Sequence, residues 1–176
     1  VILPFWSNSL VRVFSWAIVL RGNGVLDRAV NAVLPWDVKV NLMFSQSAIV
    51  IGLVHSYLPY VILTAYLALQ ALDDSLIEAA RSLGAKKRTI LWRIILPLSL
   101  PGLIAGAVLV FVPVVGSFME PRLLGGRMGT YYGTVIEDQF VAVFNWPLGA
   151  ALSFILLAVV LVILAVASPV LRRAQI

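Results

Sequence analysis

The sequence predicts an all-α, polytopic membrane protein with three full spans, preceded by part of an earlier one. Two observations carry this expectation. Of 176 residues, 61% are apolar and only 12% are charged, where a soluble domain usually carries about 25% charged residues. Three long runs also lack Asp, Glu, Lys and Arg altogether: residues 40–72, 94–119 and 139–171. A helix crosses a bilayer with about 20 apolar residues, so each run suffices. The apolar cores of the first and third lie near 48–69 and 148–166.

Composition also narrows the function classes. There is no Cys, so disulfides and thiolate metal sites are excluded. The single histidine, His55, gives no basis for a His-built metal centre. No cofactor is expected. The net charge of +5 is the kind of surplus that orients a membrane protein rather than one that binds nucleic acid. No paired carboxylates, Ser/His pair or metal-ligand cluster falls within the spans, which argues against an intramembrane enzyme. Val1 opens inside an apolar stretch, so the chain is expected to be part of a longer polypeptide. It does not read as a signal peptide.

Taken in order, residues 1–11 are uncharged but too few to cross, and read as the end of an earlier helix. Phe5, Trp6 and Trp16 suit a membrane interface. Arg21-Gly22-Asn23-Gly24 reads as a turn, and residues 26–34 as a short helix on the outer surface. Pro59 and Pro113 fall inside spans, where each removes a backbone hydrogen bond and is expected to kink its helix. Gly102 and Gly106 form a small-xxx-small stripe. It suits packing within the chain and a subunit–subunit face equally well. His55 reads as a packed side chain or, because polar groups inside spans are costly, as part of a pathway.

Lys and Arg in the loops set the direction. Residues 73–93 hold Arg81, Lys86, Lys87, Arg88 and Arg93, whereas residues 120–138 hold only Arg122 and Arg127. The first loop is therefore expected in the cytoplasm. The tail with Arg172 and Arg173 then faces the same side. Arg12, Arg21, Arg28 and Lys39, before the first span, reduce the contrast.

Residues 73–97 carry the sharpest pattern. Ser75 followed three residues later by Glu78 is a capping box, and Asp73 and Asp74 favour the positive end of the helix dipole. Gly84 is expected to end the helix with positive φ. Leu76, Ala79, Ala80 and Leu83 share one face, short, apolar and flat. A second amphipathic helix follows over 86–96, expected to break at Pro97 and Pro101 before the next span. A basic loop that only sets topology needs no capped helix with an apolar face; such a face fits a partner's groove. Burying Leu76 and Leu83 would contribute about 1.5–3 kcal/mol each, before the cost of association.

These residues resemble the permease subunits of binding-protein-dependent ABC importers. Those carry Glu-Ala-Ala, three residues, Gly, nine residues, then Ile-x-Leu-Pro. Here the same spacing holds Glu78-Ala79-Ala80, Gly84, and Ile94, Leu96, Pro97. The resemblance implies the type I ABC importer permease fold, with about six spans in the whole protein. It implies a coupling helix in which Ser75, Glu78, Ala79, Ala80, Leu83 and Gly84, with Ile94, Leu96 and Pro97 behind them, engage an ATP-hydrolysing subunit. A second permease subunit and an extracytoplasmic solute-binding protein are the other implied partners. The chain is then not itself an enzyme: its glycine-rich Leu124-Gly125-Gly126 lacks the Gly-Lys-Ser/Thr ending of a phosphate-binding loop. The implied location is the bacterial inner membrane.

The likeness extends along most of the chain. Pro4-Phe5-Trp6-Ser7-Asn8-Ser9-Leu10-Val11-Arg12, Leu124-Gly125-Gly126 and Asn145-Trp146-Pro147-Leu148-Gly149-Ala150-Ala151 look like segments of spermidine/putrescine permeases. Permeases for ferric iron, phosphonates and other solutes share parts of the pattern. A membrane scaffold or channel subunit is the alternative of another class. A polyamine cation favours carboxylates and aromatic faces. Candidates for its path are His55, Glu120, Tyr131, Tyr132, Asp138 and Trp146, with Glu137 and Phe140 nearby. Read as interfacial anchors and loop charges, the same residues need no substrate.

Overall fold

A computed structural model describes residues 8–33 and 39–173, with side chains through 166. Among them every regular element is helical. Helix α1 is Ser9–Leu20, α2 Val25–Val33, α3 Gln46–Gln70 and α4 Asp74–Ser82. Then come α5, Lys87–Ile90, a π-helical turn, Leu91–Ile95, and α6, Leu96–Val115. Helices α7, Met119–Gly125, α8, Tyr132–Val141, and α9, Trp146–Arg173, complete the order. The expectations for Phe5, Trp6, the Pro4–Ser7 part of the resemblance and position 34 lie outside the described residues.

Three helices are long and apolar enough to cross a membrane: Gln46–Gln70, Lys87–Val115 and Trp146–Val166. They match the three uncharged runs. Only 11% of the apolar window of the second and third is buried within the chain. Water would not tolerate that much bare hydrocarbon; lipid does.

Local chemistry starts three of these helices. The Asn8 side chain accepts from Leu10 N–H at the head of α1. Ser45 Oγ accepts from Ala48 N–H at the head of α3, and Asn145 Oδ1 accepts from Leu148 N–H at the head of α9. Each is a side-chain oxygen satisfying a first-turn amide that has no partner inside its helix. The turn expected at Arg21–Gly24 is present, with Asn23 at φ 58°, a conformation Asn tolerates better than most.

The break expected at the prolines is absent. Pro97 and Pro101 do not break the helix, which runs on from Lys87 to Val115. At Pro97 the reason is the π turn just before it, closed by Leu96 N–H on Leu91 C=O. A proline ring crowds the carbonyl four residues back and offers it no N–H. A wider turn at that point absorbs both problems without ending the helix. Pro59 likewise sits inside a continuous α3, and Pro113 inside α6.

The chain forms two units, residues 8–59 with 113–157, and residues 60–112 with 158–173. The first has a small core of Val13, Leu20, Ala48 and Leu124, with Trp16, Leu26, Met43, Ile51 and Met119 packed on it. Buried Asp27 braces its surface loop, accepting from Asn23 N–H at 3.2 Å and from Val40 N–H at 2.8 Å. In the second unit, the stripe of Gly102 and Gly106 meets α3: a Cβ at Gly102 would strike Ala68 and one at Gly106 would strike Thr64. The partners step backward by four as the glycines step forward, so the helices run antiparallel. The stripe thus serves packing within the chain.

Candidate functional site

Two places gather the candidate residues. The first is α4 and the segment after it. The helix begins two residues earlier than the capping-box reading placed it. Asp73, not Ser75, is the N-cap, and its carboxylate accepts from Ser75 N–H at 2.9 Å. Asp73, Asp74 and Ser75 are all capable caps. Against Ser75, the carboxylate at 73 wins because a charged acceptor makes the stronger bond to a backbone N–H. Ser75 donates to it through both its backbone N–H and its hydroxyl, which holds the Asp73 carboxyl below its ordinary value.

The other end of α4 is as expected. Gly84 has φ +78°. Its N–H reaches Arg81 C=O at 2.9 Å, and Ala85 N–H reaches Ala80 C=O at 3.0 Å. That pair of bonds is the Schellman motif, which satisfies carbonyls the helix would otherwise leave open. No residue of α4 is buried. Leu83 is 89% exposed and Leu76 47%. Glu78 and Ala79 are exposed and Ala80 is half-buried. Of the remaining motif residues, Ile94 lies in the π turn, and Leu96 and Pro97 open α6.

The second place surrounds Glu120, the second residue of α7. Although charged, it is only 6% exposed. Its Oε1 accepts from Ser56 of α3 at 2.9 Å, and its Oε2 accepts from Ser117 at 2.7 Å. It borders a cleft of about 250 Å³ lined also by Ser9, Tyr57, Pro113, Gly116 and Phe118.

The other candidates are placed separately. His55 is half-buried and meets Trp16 edge-on, ring centroids 5.4 Å apart. Tyr131 caps α8, with its N–H donating to Thr134 Oγ1 at 2.9 Å. Tyr132 donates its hydroxyl to Leu152 C=O at 3.2 Å. Asp138 pairs with Arg122 through two bonds, Nη1–Oδ2 at 3.2 Å and a shorter one from Nη2 to Oδ1. Arg122 also approaches Glu137 at 3.5 Å, and the two carboxylates, Asp138 foremost, raise its pKa. Trp146 starts α9 and is exposed. No hydrogen bond, ion pair or ring contact joins any two of the six candidates.

Ser56, Ser117, Arg122 and Asp27 were not singled out from the sequence. Ser56 and Glu120 stand 64 residues apart, so no local spacing points to their meeting. Asp27 did offer a signal: an acidic residue in the first turn of a helix entered through Gly-Asn-Gly.

Comparison with known proteins adds a separate line. Residues 3–174 match the family model for the binding-protein-dependent transport system inner membrane component. The spermidine/putrescine transport system permease protein PotB of Escherichia coli K12 is 43% identical over 159 residues, 88% of this chain and 56% of that protein. PotB of Haemophilus influenzae is 38% identical over 176 residues, covering 98% of this chain and 62% of its own length. The inner membrane ABC transporter permease protein YdcU of E. coli K12 is 32% identical, over 93% of this chain and 55% of its own. The chain therefore spans little more than half the length of these relatives. Among solved structures, the inward-facing MetNI methionine ABC transporter matches with a TM-score of 0.73, covering 98% of this chain and 71% of that one. At 18% identity this likeness speaks for the fold alone.

Proposed function

This chain belongs to the family of binding-protein-dependent transport system inner membrane components, and from that premise we propose that it is the coupling half of a permease subunit that imports polyamines. ATP hydrolysis would reside on a separate subunit. A second permease subunit would complete the pathway, and a soluble binding protein would deliver spermidine or putrescine at the outer surface.

The observation that carries the reading is α4: a helix capped at both ends with no buried residue, whose apolar face leaves Leu76 and Leu83 exposed. A nine-residue helix is too short to persist in water on propensity alone. Caps at both ends hold it in shape ahead of docking, which lowers the ordering cost of binding. Closure of the ATPase subunits would push on α4. The continuous helix from Lys87 to Val115, unbroken at Pro97, would carry that displacement into the second span. The polyamine assignment comes from the relatives' names.

The test uses the assembled transporter. Glu78→Lys and Gly84→Pro are expected to abolish both capture of the ATPase subunit and spermidine uptake. Uptake at the parental rate in both variants would overturn the mechanism. Uptake of ferric iron or a phosphonate in place of polyamine would overturn the substrate and leave the mechanism standing.

A further inference from the structure

We propose that Glu120 is a binding subsite for one primary ammonium group of the transported cation. The inference rests on the polyamine reading and goes beyond it by naming the group that takes the charge.

Three observations support the site. First, Glu120 is a carboxylate with only 6% of its surface exposed, packed against the apolar helix α3 through Ser56. An anion so placed is costly to leave uncompensated. Second, its compensation within this chain is incomplete. Each oxygen accepts one neutral hydroxyl, which leaves acceptor capacity on both. Among the described residues, the ion pairs present are those of Arg122 with Glu137 and Asp138; none reaches Glu120. Third, Glu120 borders a cleft rather than solid packing. The cleft holds about 250 Å³, and Tyr57 and Phe118 line it beside Ser9 and Ser117.

The chemistry fits an alkylammonium. It is a compact cation with three donors, of which the carboxylate can accept one or two. Its charge also interacts favourably with an aromatic face. Ser56 and Ser117 hold the carboxylate in one orientation and keep their own lone pairs available. The methylene chain between amines would lie along Pro113 and Gly116. A metal cation is a poorer match, because one carboxylate and hydroxyls fall short of the six or more oxygens a hard cation gathers.

The test measures equilibrium binding of radiolabelled spermidine to the complete permease–ATPase complex, held with ATP and a hydrolysis-deficient ATPase subunit. Glu120→Gln keeps the shape and removes the charge; one serine can still donate to the amide oxygen, while the other turns to accept from the amide NH2. It is expected to weaken spermidine binding about 10- to 100-fold, the range for one charge-assisted hydrogen bond. Phe118→Leu, away from the carboxylate, is expected to weaken it about 3- to 10-fold through the lost aromatic face. Wild-type affinity in Glu120→Gln overturns the site. So does a Glu120→Gln complex that is less heat-stable yet binds spermidine normally, because Glu120 would then be pairing with another part of the assembly. If Glu120→Gln does not assemble, wild-type affinity in Phe118→Leu overturns it instead. A wild-type complex that binds no spermidine overturns the polyamine reading and the site with it, whereas the outcomes above overturn the site alone.

Discussion

Helices α4 and α7 are close in length, nine and seven residues, and each is followed by a glycine at positive φ, Gly84 at 78° and Gly126 at 53°. There the likeness ends. Helix α7 buries Glu120, Pro121, Leu124 and Gly125 against its own chain. Helix α4 buries nothing. One short helix is held by tertiary packing and needs no N-cap bond. The other is held by its caps and leaves its apolar face open. The difference separates a helix organised by packing on its own chain from one with no buried residue, which is what the proposed docking requires.

The largest effect expected from that contrast is on packing. Leu124→Ala removes a fully buried side chain and is expected to destabilise the purified complex by about 2–5 kcal/mol, read as a loss of thermal midpoint. Leu83→Ala is expected to shift stability by less than about 0.5 kcal/mol, since Leu83 is 89% exposed, while weakening capture of the ATPase subunit. Equal stability losses in the two variants would break the comparison.

Gly84→Ala comes next. A Cβ there meets no atom within 4 Å, so the whole cost is the left-handed backbone, about 1–2 kcal/mol. It is expected to fray the last turn of α4, seen as faster hydrogen exchange at Ala79 to Ala85. Gly106→Ala makes the opposite case: its φ is helical, and the obstacle is Thr64 of α3.

How much of this was readable in advance follows the same division. The three spans, the turn at Arg21–Gly24 and the glycine stop of α4 depend on nearest neighbours in the chain, and single-residue chemistry reveals them. The N-cap was misplaced by two residues because Ser75 and Glu78 form a capping-box pattern while Asp73 makes the stronger bond. The break expected at Pro97 was wrong because a π turn just before it relieves the clash, and proline's presence alone does not disclose that device. The environment of Glu120 was hidden for another reason. Ser56 reaches it across 64 residues, and burial of a carboxylate is a property of the packed molecule.

The smallest effect concerns the cap. Donation from Ser75 lowers the Asp73 pKa. A carboxyl held below its unfolded value adds stability that is fully present above about 3.9, the ordinary Asp value, and is lost as pH falls through its lowered value. The first turn of α4 is therefore expected to loosen only in strong acid. Asp73→Asn, which keeps a capping oxygen, is expected to remove that pH dependence while leaving the helix intact at neutral pH.

The central claim is that the open face of α4 lies inside the cell and meets a motor subunit. This chain has no cysteine, so Leu83→Cys gives a single thiol on that face. In intact cells it should resist a membrane-impermeant thiol reagent, and in inverted vesicles it should crosslink to the ATPase subunit. Labelling from outside intact cells, or full uptake with no crosslink to any ATPase subunit, would contradict the account.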